Sequence, residues 1–255
     1  MSEGPEEHVM ASKFSSPARE PREIQLRAYT TRNAPQKKGA FSRRGKPTPS
    51  DRVLVFDTET TTDETQSLRF GVYKIFENSE LVETGLFYDE EGLKPEETET
   101  LWSFAERNDL EFMSVRDFVE DKFYEECALL HGSIVGFNLP FDLSRLAIQH
   151  GTAKSKDRYR LFQHGFSLQL SEDEWTRPMV KVKHLSSRAA FIEFAQPREG
   201  YVGKRKKGKP PAKLPSFFVD VRTLAGVLLA NSFSLEQLCG ALKVATPKQK
   251  TDEHG

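Results

Sequence analysis

The sequence predicts an α/β domain over residues 51–255: a mixed sheet flanked by helices, with its first three strands antiparallel. Three observations predict it. Residues 53–57, 68–76 and 81–88 follow one another as apolar, β-branched runs separated by polar residues. From Ser114 onward the pattern becomes helix, strand, helix, and later strand, helix, helix. Acids sit where these elements end or begin, with Asp57 and Glu59 closing the first strand and Asp142 opening a helix that follows a strand. Open α/β sheets place their sites at the carboxyl ends of strands.

The whole chain bounds the reading. With 255 residues, 37% hydrophobic, it is long enough for one sizeable domain or two small ones. A formal net charge of −1 points to no polyanion partner overall, so any such surface is local. No apolar run approaches the length of a transmembrane helix, and MSEGPEEHVM lacks the pattern of a signal peptide. The expectation is a cytoplasmic protein with no membrane partner. Cys127 and Cys239 lie in helical patterns and read as reduced core thiols. No Cys/His cluster has zinc-ligand spacing.

Residues 1–50 are rich in Pro, Ser, Lys and Arg and poor in large apolar side chains, the composition of a disordered tail. Its basic end, residues 37–46, reads either as a solvated linker or as a nucleic-acid contact arm. The first strand follows in VLVFDTET (residues 53–60). Strand side chains alternate, so Asp57 and Glu59 leave on one side, and Thr58 and Thr60 on the other. Two acids aimed at one point repel each other, and a hard divalent cation removes that penalty. Alone, the pair also reads as an acidic turn after an edge strand. The strands at 68–76 and 81–88 flank the polar ENSE (residues 77–80), which suits a hairpin turn. Residues 89–99 read as an acidic loop, and 101–107 as a short helix.

Ser114 caps the next helix, with Asp117 in its first turn. Val115, Phe118, Val119 and Phe123 form its apolar stripe, and Gly132 stops it. SIVGF (residues 133–137) is a buried strand, and NLPFD (residues 138–142) leads into a helix with Pro140 in its first turn. Leu143, Leu146 and Ala147 form that helix's stripe, and Gly151 ends it. Asp142 is then a third carboxylate at the same sheet edge, or an ordinary first-turn acid favoured by the helix dipole.

Residues 152–214 read as an insertion. Residues 179–184 and 189–194 pair as a hairpin, and 203–211 form a basic tip carrying Lys204, Arg205, Lys206 and Lys207. That tip reads either as a phosphate-holding element or as a plain solvated loop. A strand at 215–221 and a helix at 222–230 follow. Ser234 and Gln237 form a capping box for the last helix, whose stripe is Leu235, Leu238, Cys239 and Leu242.

FDTET followed downstream by GFNLPFD resembles the first two motifs of the DEDD superfamily of 3′–5′ exonucleases. The Asn-x-x-Phe-Asp form is most similar to the proofreading domain of family-B DNA polymerases. The resemblance spans residue 52 to the C-terminus and implies a ribonuclease H-like fold. It implies that Asp57, Glu59 and Asp142 are catalytic residues and ligands of two Mg²⁺ or Mn²⁺ ions. Asp57 would bridge the ions, Glu59 would hold the one that binds the attacking water, and Asp142 would hold or orient the other. Thr58, Thr60, Asn138 and Phe141 fall at substrate-side and packing positions, and Lys204 to Lys207 would add phosphate contacts. The implied partner is a single-stranded 3′ end, DNA in preference to RNA.

The chain departs from the family at its end. No Tyr-x-x-x-Asp or His-x-x-x-x-Asp pattern, which would carry the fourth carboxylate, follows KTDEHG (residues 250–255), where Asp252 and Glu253 lie on a polar terminus. Asp220 reaches the site only if its side chain points to the acidic face. The expectation is a fragment of a longer nuclease or polymerase. A catalytically inactive nucleic-acid-binding module of the same fold and an unrelated α/β protein with surface acids are the alternatives. Oligomeric state stays open.

Overall fold

A computed structural model describes residues 48–153, 161–173, 177–186, 189–195 and 215–244. The N-terminal tail with its basic stretch, the tip with Lys204, Arg205, Lys206 and Lys207, and the terminal Asp252 and Glu253 lie outside the described residues.

The main sheet has six strands: β1 (Arg52–Thr60), β2 (Leu68–Glu77), β3 (Glu80–Tyr88), β4 (Glu111–Ser114), β5 (Ser133–Gly136) and β10 (Phe218–Asp220). Their order is β10-β5-β1-β2-β3-β4. β1, β2 and β3 are antiparallel, as the three consecutive runs predict. β5 runs parallel to β1, β10 parallel to β5, and β4 parallel to β3. The fold is therefore α/β, with a mixed sheet flanked by helices. β1 alternates as its sequence requires: Leu54, Phe56 and Thr58 are buried, while Asp57 and Glu59 are exposed. The β2–β3 turn places Asn78 and Ser79 at φ 51° and 69°, the left-handed pair whose twist matches a hairpin.

Four more strands form a second, antiparallel sheet: β6 (Gln149–Thr152), β7 (Phe166–Gln169), β8 (Val180–Ser186) and β9 (Ala189–Phe194), in that order. The β8–β9 pair is the expected hairpin. β6 and β7 were not evident in the sequence, because QHGT and FSLQ are short and carry few β-formers. Gly151 lies within β6 and does not stop the preceding helix, which ends at Arg145.

Helix α1 (Pro95–Arg107) starts earlier than the sequence suggests. Glu96 and Glu97, read there as loop acids, occupy its first turn, and the Lys94 N–H donates to Glu97 Oε2 at 3.0 Å. Helix α2 (Val115–Asp117) is capped by Ser114, which accepts from the Asp117 N–H at 3.1 Å. It continues through two π-helical stretches, Phe118–Phe123 and Glu125–Leu129. The expected stripe is the centre of the core: Phe118 stacks on Phe87 at 4.0 Å and tilts against Phe56 and Tyr73. Phe123 and Tyr124 extend the aromatic cluster to Phe218 and Phe194, so both sheets share one core. Chain reversal follows through His131, at φ 56°, and Gly132, whose N–H donates to the Glu126 carbonyl.

α3 (Leu139–Arg145), α4 (Val221–Leu229) and α5 (Leu235–Leu242) complete the order. α5 carries the predicted capping box of Ser234 and Gln237. Its stripe is a core stripe only in part. Leu238 is buried, but Leu242 is exposed, together with Val227 and Leu228 of α4, because no described residue covers that side.

Glu126 is a buried carboxylate held by Arg52, which donates from Nε at 2.7 Å and Nη2 at 2.6 Å. Glu126 pushes the Arg52 guanidinium pKa further up, more than burial lowers it. Arg52→Ala leaves that carboxylate unpaired, and urea unfolding should show a loss of about 3–5 kcal/mol. The double change Arg52→Met, Glu126→Leu should lose much less, because no charge stays buried. A second expectation concerns Gly71, paired with Thr58 on β2. An added Cβ there would lie 2.2 Å from Phe87 Cζ and 2.7 Å from the Asp57 carbonyl oxygen. Gly71→Ala should cost about 1–3 kcal/mol by displacing the ring that stacks on Phe118.

Candidate active site

β10, β5 and β1 run parallel; β10 and β5 end level at Asp220 and Gly136, and β1, paired with β5 up to Val55, runs on to Thr60. Backbone N–H groups at such ends need acceptors, and two buried aspartates supply them. Asp142 comes from the first turn of α3. Its Oδ1 accepts from the Thr58 N–H at 3.2 Å and from Thr58 Oγ1 at 2.7 Å. Asp220 is the N-cap of α4, and its Oδ2 accepts from the Thr223 N–H at 3.0 Å and from the Thr223 hydroxyl. Its Oδ1 accepts from the Leu139 N–H, at the start of α3, at 3.0 Å.

Asn138 joins β5 to α3 in the left-handed region, at φ 69° and ψ 38°. Asparagine tolerates that region better than other non-glycine residues. Its side chain does not cap α3; Oδ1 accepts from Arg222 Nη1 at 3.1 Å. Phe141 lies under the Arg145 guanidinium at 4.6 Å. Arg145 in turn donates from Nη1 to the carbonyls of Thr65 (3.2 Å) and Gln66 (2.6 Å), tying α3 to the loop that follows β1.

The predicted site residues divide as follows. Asp57 and Glu59 are exposed on the face of β1 opposite Leu54 and Phe56. Asp142 is brought to β1 and is 2% exposed. Thr58, expected on the substrate side, is buried and orients Asp142. Thr60 is half-buried at the end of β1, and Asn138 and Phe141 are half-buried at the start of α3. Asp220, considered as a stand-in for the missing acid, has both oxygens committed to helix starts. The pattern that marks this role is an acid immediately before a helix, followed by Thr three residues on. Arg222 and Arg145 were not singled out in the sequence, because nothing local shows what a surface-type arginine will meet.

Burial drives the Asp142 carboxyl up to about 7; the Thr58 hydrogen bond opposes this, and the nearby Asp57 charge adds to it. Asp142 Oδ2 is buried and has no hydrogen-bond partner among the described residues. Among the described residues no three His, Cys, Asp or Glu side chains gather closely enough to hold a metal ion. The donor chemistry still fits a hard divalent cation: the groups at hand are carboxylates, and the orphaned Oδ2 is an acceptor beside a second negative charge.

A carboxyl whose folded pKa is raised stabilises the fold fully below its unfolded value, near 3.8 here, and loses that contribution as pH rises through about 7. Asp142→Asn can keep the Thr58 hydrogen bonds through Oδ1 and carries no charge. Relative to the native chain it should be close to neutral at pH 4 and more stable at pH 8, by up to about 4 kcal/mol. Urea unfolding at both pH values checks this; a difference independent of pH would mean that Asp142 titrates normally.

Compared with models of known protein families and with curated proteins, the sequence matches none of them.

Proposed function

We propose that this chain is a metal-dependent 3′–5′ exonuclease-type domain of the DEDD class, with a ribonuclease H-like fold. Its substrate is a single-stranded 3′ end, DNA in preference to RNA, and its metal is Mg²⁺ or Mn²⁺. The observation that carries the reading is Asp142: a buried carboxylate with one oxygen fixed by Thr58 and the other without a partner among the described residues, within reach of the Asp57 charge. An acid so placed is costly to ionise alone, and a divalent cation would relieve it. The order of the sheet adds support, since Asp57 and Glu59 lie toward the carboxyl end of β1 and Asp142 lies in the helix that follows the parallel strand β5.

Asp57, Glu59 and Asp142 would hold the metal. When bound, it supplies the charge that stabilises the attacking and leaving oxygens of phosphodiester hydrolysis. Thr58 sets the orientation of Asp142. Arg145 and Phe141 keep the loop after β1 against α3, next to the strand end that bears Asp57 and Glu59. The free thiols of Cys127, buried, and Cys239, half-buried, suit the reducing cytoplasm where we place the protein. One observation favours a second reading, an inactive nucleic-acid-binding module: Asp220 is spent as a cap, and no other described acid takes the fourth position.

Two measurements test the proposal. Mn²⁺ should raise the melting temperature at pH 8, and Asp57→Asn should abolish that rise. Nucleotides should leave the 3′ end of a labelled single-stranded oligonucleotide with Mn²⁺ and not with chelator. A metal-dependent rise without nucleotide release selects the binding module, and neither effect overturns both readings.

A further inference from the structure

Arg222 is the second residue of α4, just after β10. Its Nη1 donates to Asn138 Oδ1 at 3.1 Å, while its Nε is buried and without a partner among the described residues. The acid closest in sequence, Asp220, makes no direct ion pair with it; its oxygens accept from Leu139 and Thr223. Arg222 enters no ion pair among the described residues, although seven other pairs form there. A half-buried guanidinium with a buried, unsatisfied donor and no counter-ion calls for an anionic ligand. Asn138 adds to this. With its Oδ1 held by Arg222, its amide NH₂ remains as a second donor beside the guanidinium.

We propose that Arg222, with Asn138 held against it, is the phosphate-binding part of this site and takes a backbone phosphate of the bound single strand. The inference rests on the nuclease-type reading given above and assigns a role that the carboxylates cannot play. Asp57, Glu59 and Asp142 repel a polyanion, and the chain's net charge of −1 offers no general attraction. A local cation with a planar donor fork matches phosphate oxygens.

The test is the binding of oligothymidylate to the full chain in chelator, followed by fluorescence anisotropy across a KCl series. Arg222→Gln should weaken binding about tenfold and lower the slope of log affinity against log salt by about 0.7. Arg222→Lys keeps the charge, so it should keep the slope while losing part of the affinity. Unchanged affinity in Arg222→Gln, or a loss with an unchanged slope, overturns the proposal. Should Arg222→Gln not fold, the native chain decides: oligothymidylate must protect Arg222 from phenylglyoxal, read by peptide mass, and no protection overturns it. The two readings fail differently. A native chain that binds no single strand, with or without Mn²⁺, sinks the nuclease-type reading and this one together. A native chain that binds and cleaves while Arg222→Gln does so equally sinks only the role of Arg222.

Discussion

The three parallel strand ends at β10, β5 and β1 are the constraint on which the rest depends. A strand that ends inside a packed protein leaves polar backbone groups that water cannot reach, and each must find a partner. Here the partners are two aspartates acting in series. Asp220 fastens the start of α4 to the start of α3, and Asp142, one turn along α3, fastens that helix to β1 through Thr58. The helices are thus set against the sheet by hydrogen bonds to carboxylates as well as by apolar packing. The positions of Asn138, Phe141, Arg145 and Arg222 follow from those two anchors.

β1 is held at its other end in a related way. Arg52 at its start grips Glu126 from the second π-helical stretch, and Glu126 is buried as Asp142 is. The two buried acids differ in what compensates them. Glu126 faces a guanidinium in a two-pronged arrangement that makes a structural clamp. Asp142 faces only neutral donors and the negative field of Asp57, so burial raises its pKa. Equal burial therefore has different consequences: Glu126 is matched by a cation, and Asp142 is costly to ionise.

The same reasoning applies to the arginines. Arg52 and Arg177 pair with Glu126 and Glu120, and Arg145 satisfies loop carbonyls. Arg145 and Arg222 form no ion pair among the described residues, and each keeps a buried Nε without a partner there; Arg222 differs in that its one described acceptor is a side-chain amide, Asn138 Oδ1.

By itself the sequence determined the alternation that puts Asp57 and Glu59 on one side of β1. It also determined the hairpin at Asn78 and Ser79, the Ser114 and Ser234 caps, and the entry of Asp142 into the first turn of a helix after a strand. Each of these depends on residues a few positions apart, where backbone geometry leaves little choice. Tertiary structure decided the rest. β6 and β7 are strands because of what they pair with, and Glu97 in the first turn of α1 is tied to β2 by Arg69, 28 residues away. The bonds that define the site join residues 84 apart for Thr58 with Asp142 and for Asn138 with Arg222, and 81 apart for Leu139 with Asp220. A local pattern shows that Asp220 can cap a helix. Only the packed chain decides that this cap uses both oxygens, because the competing donor on Leu139 arrives through the fold.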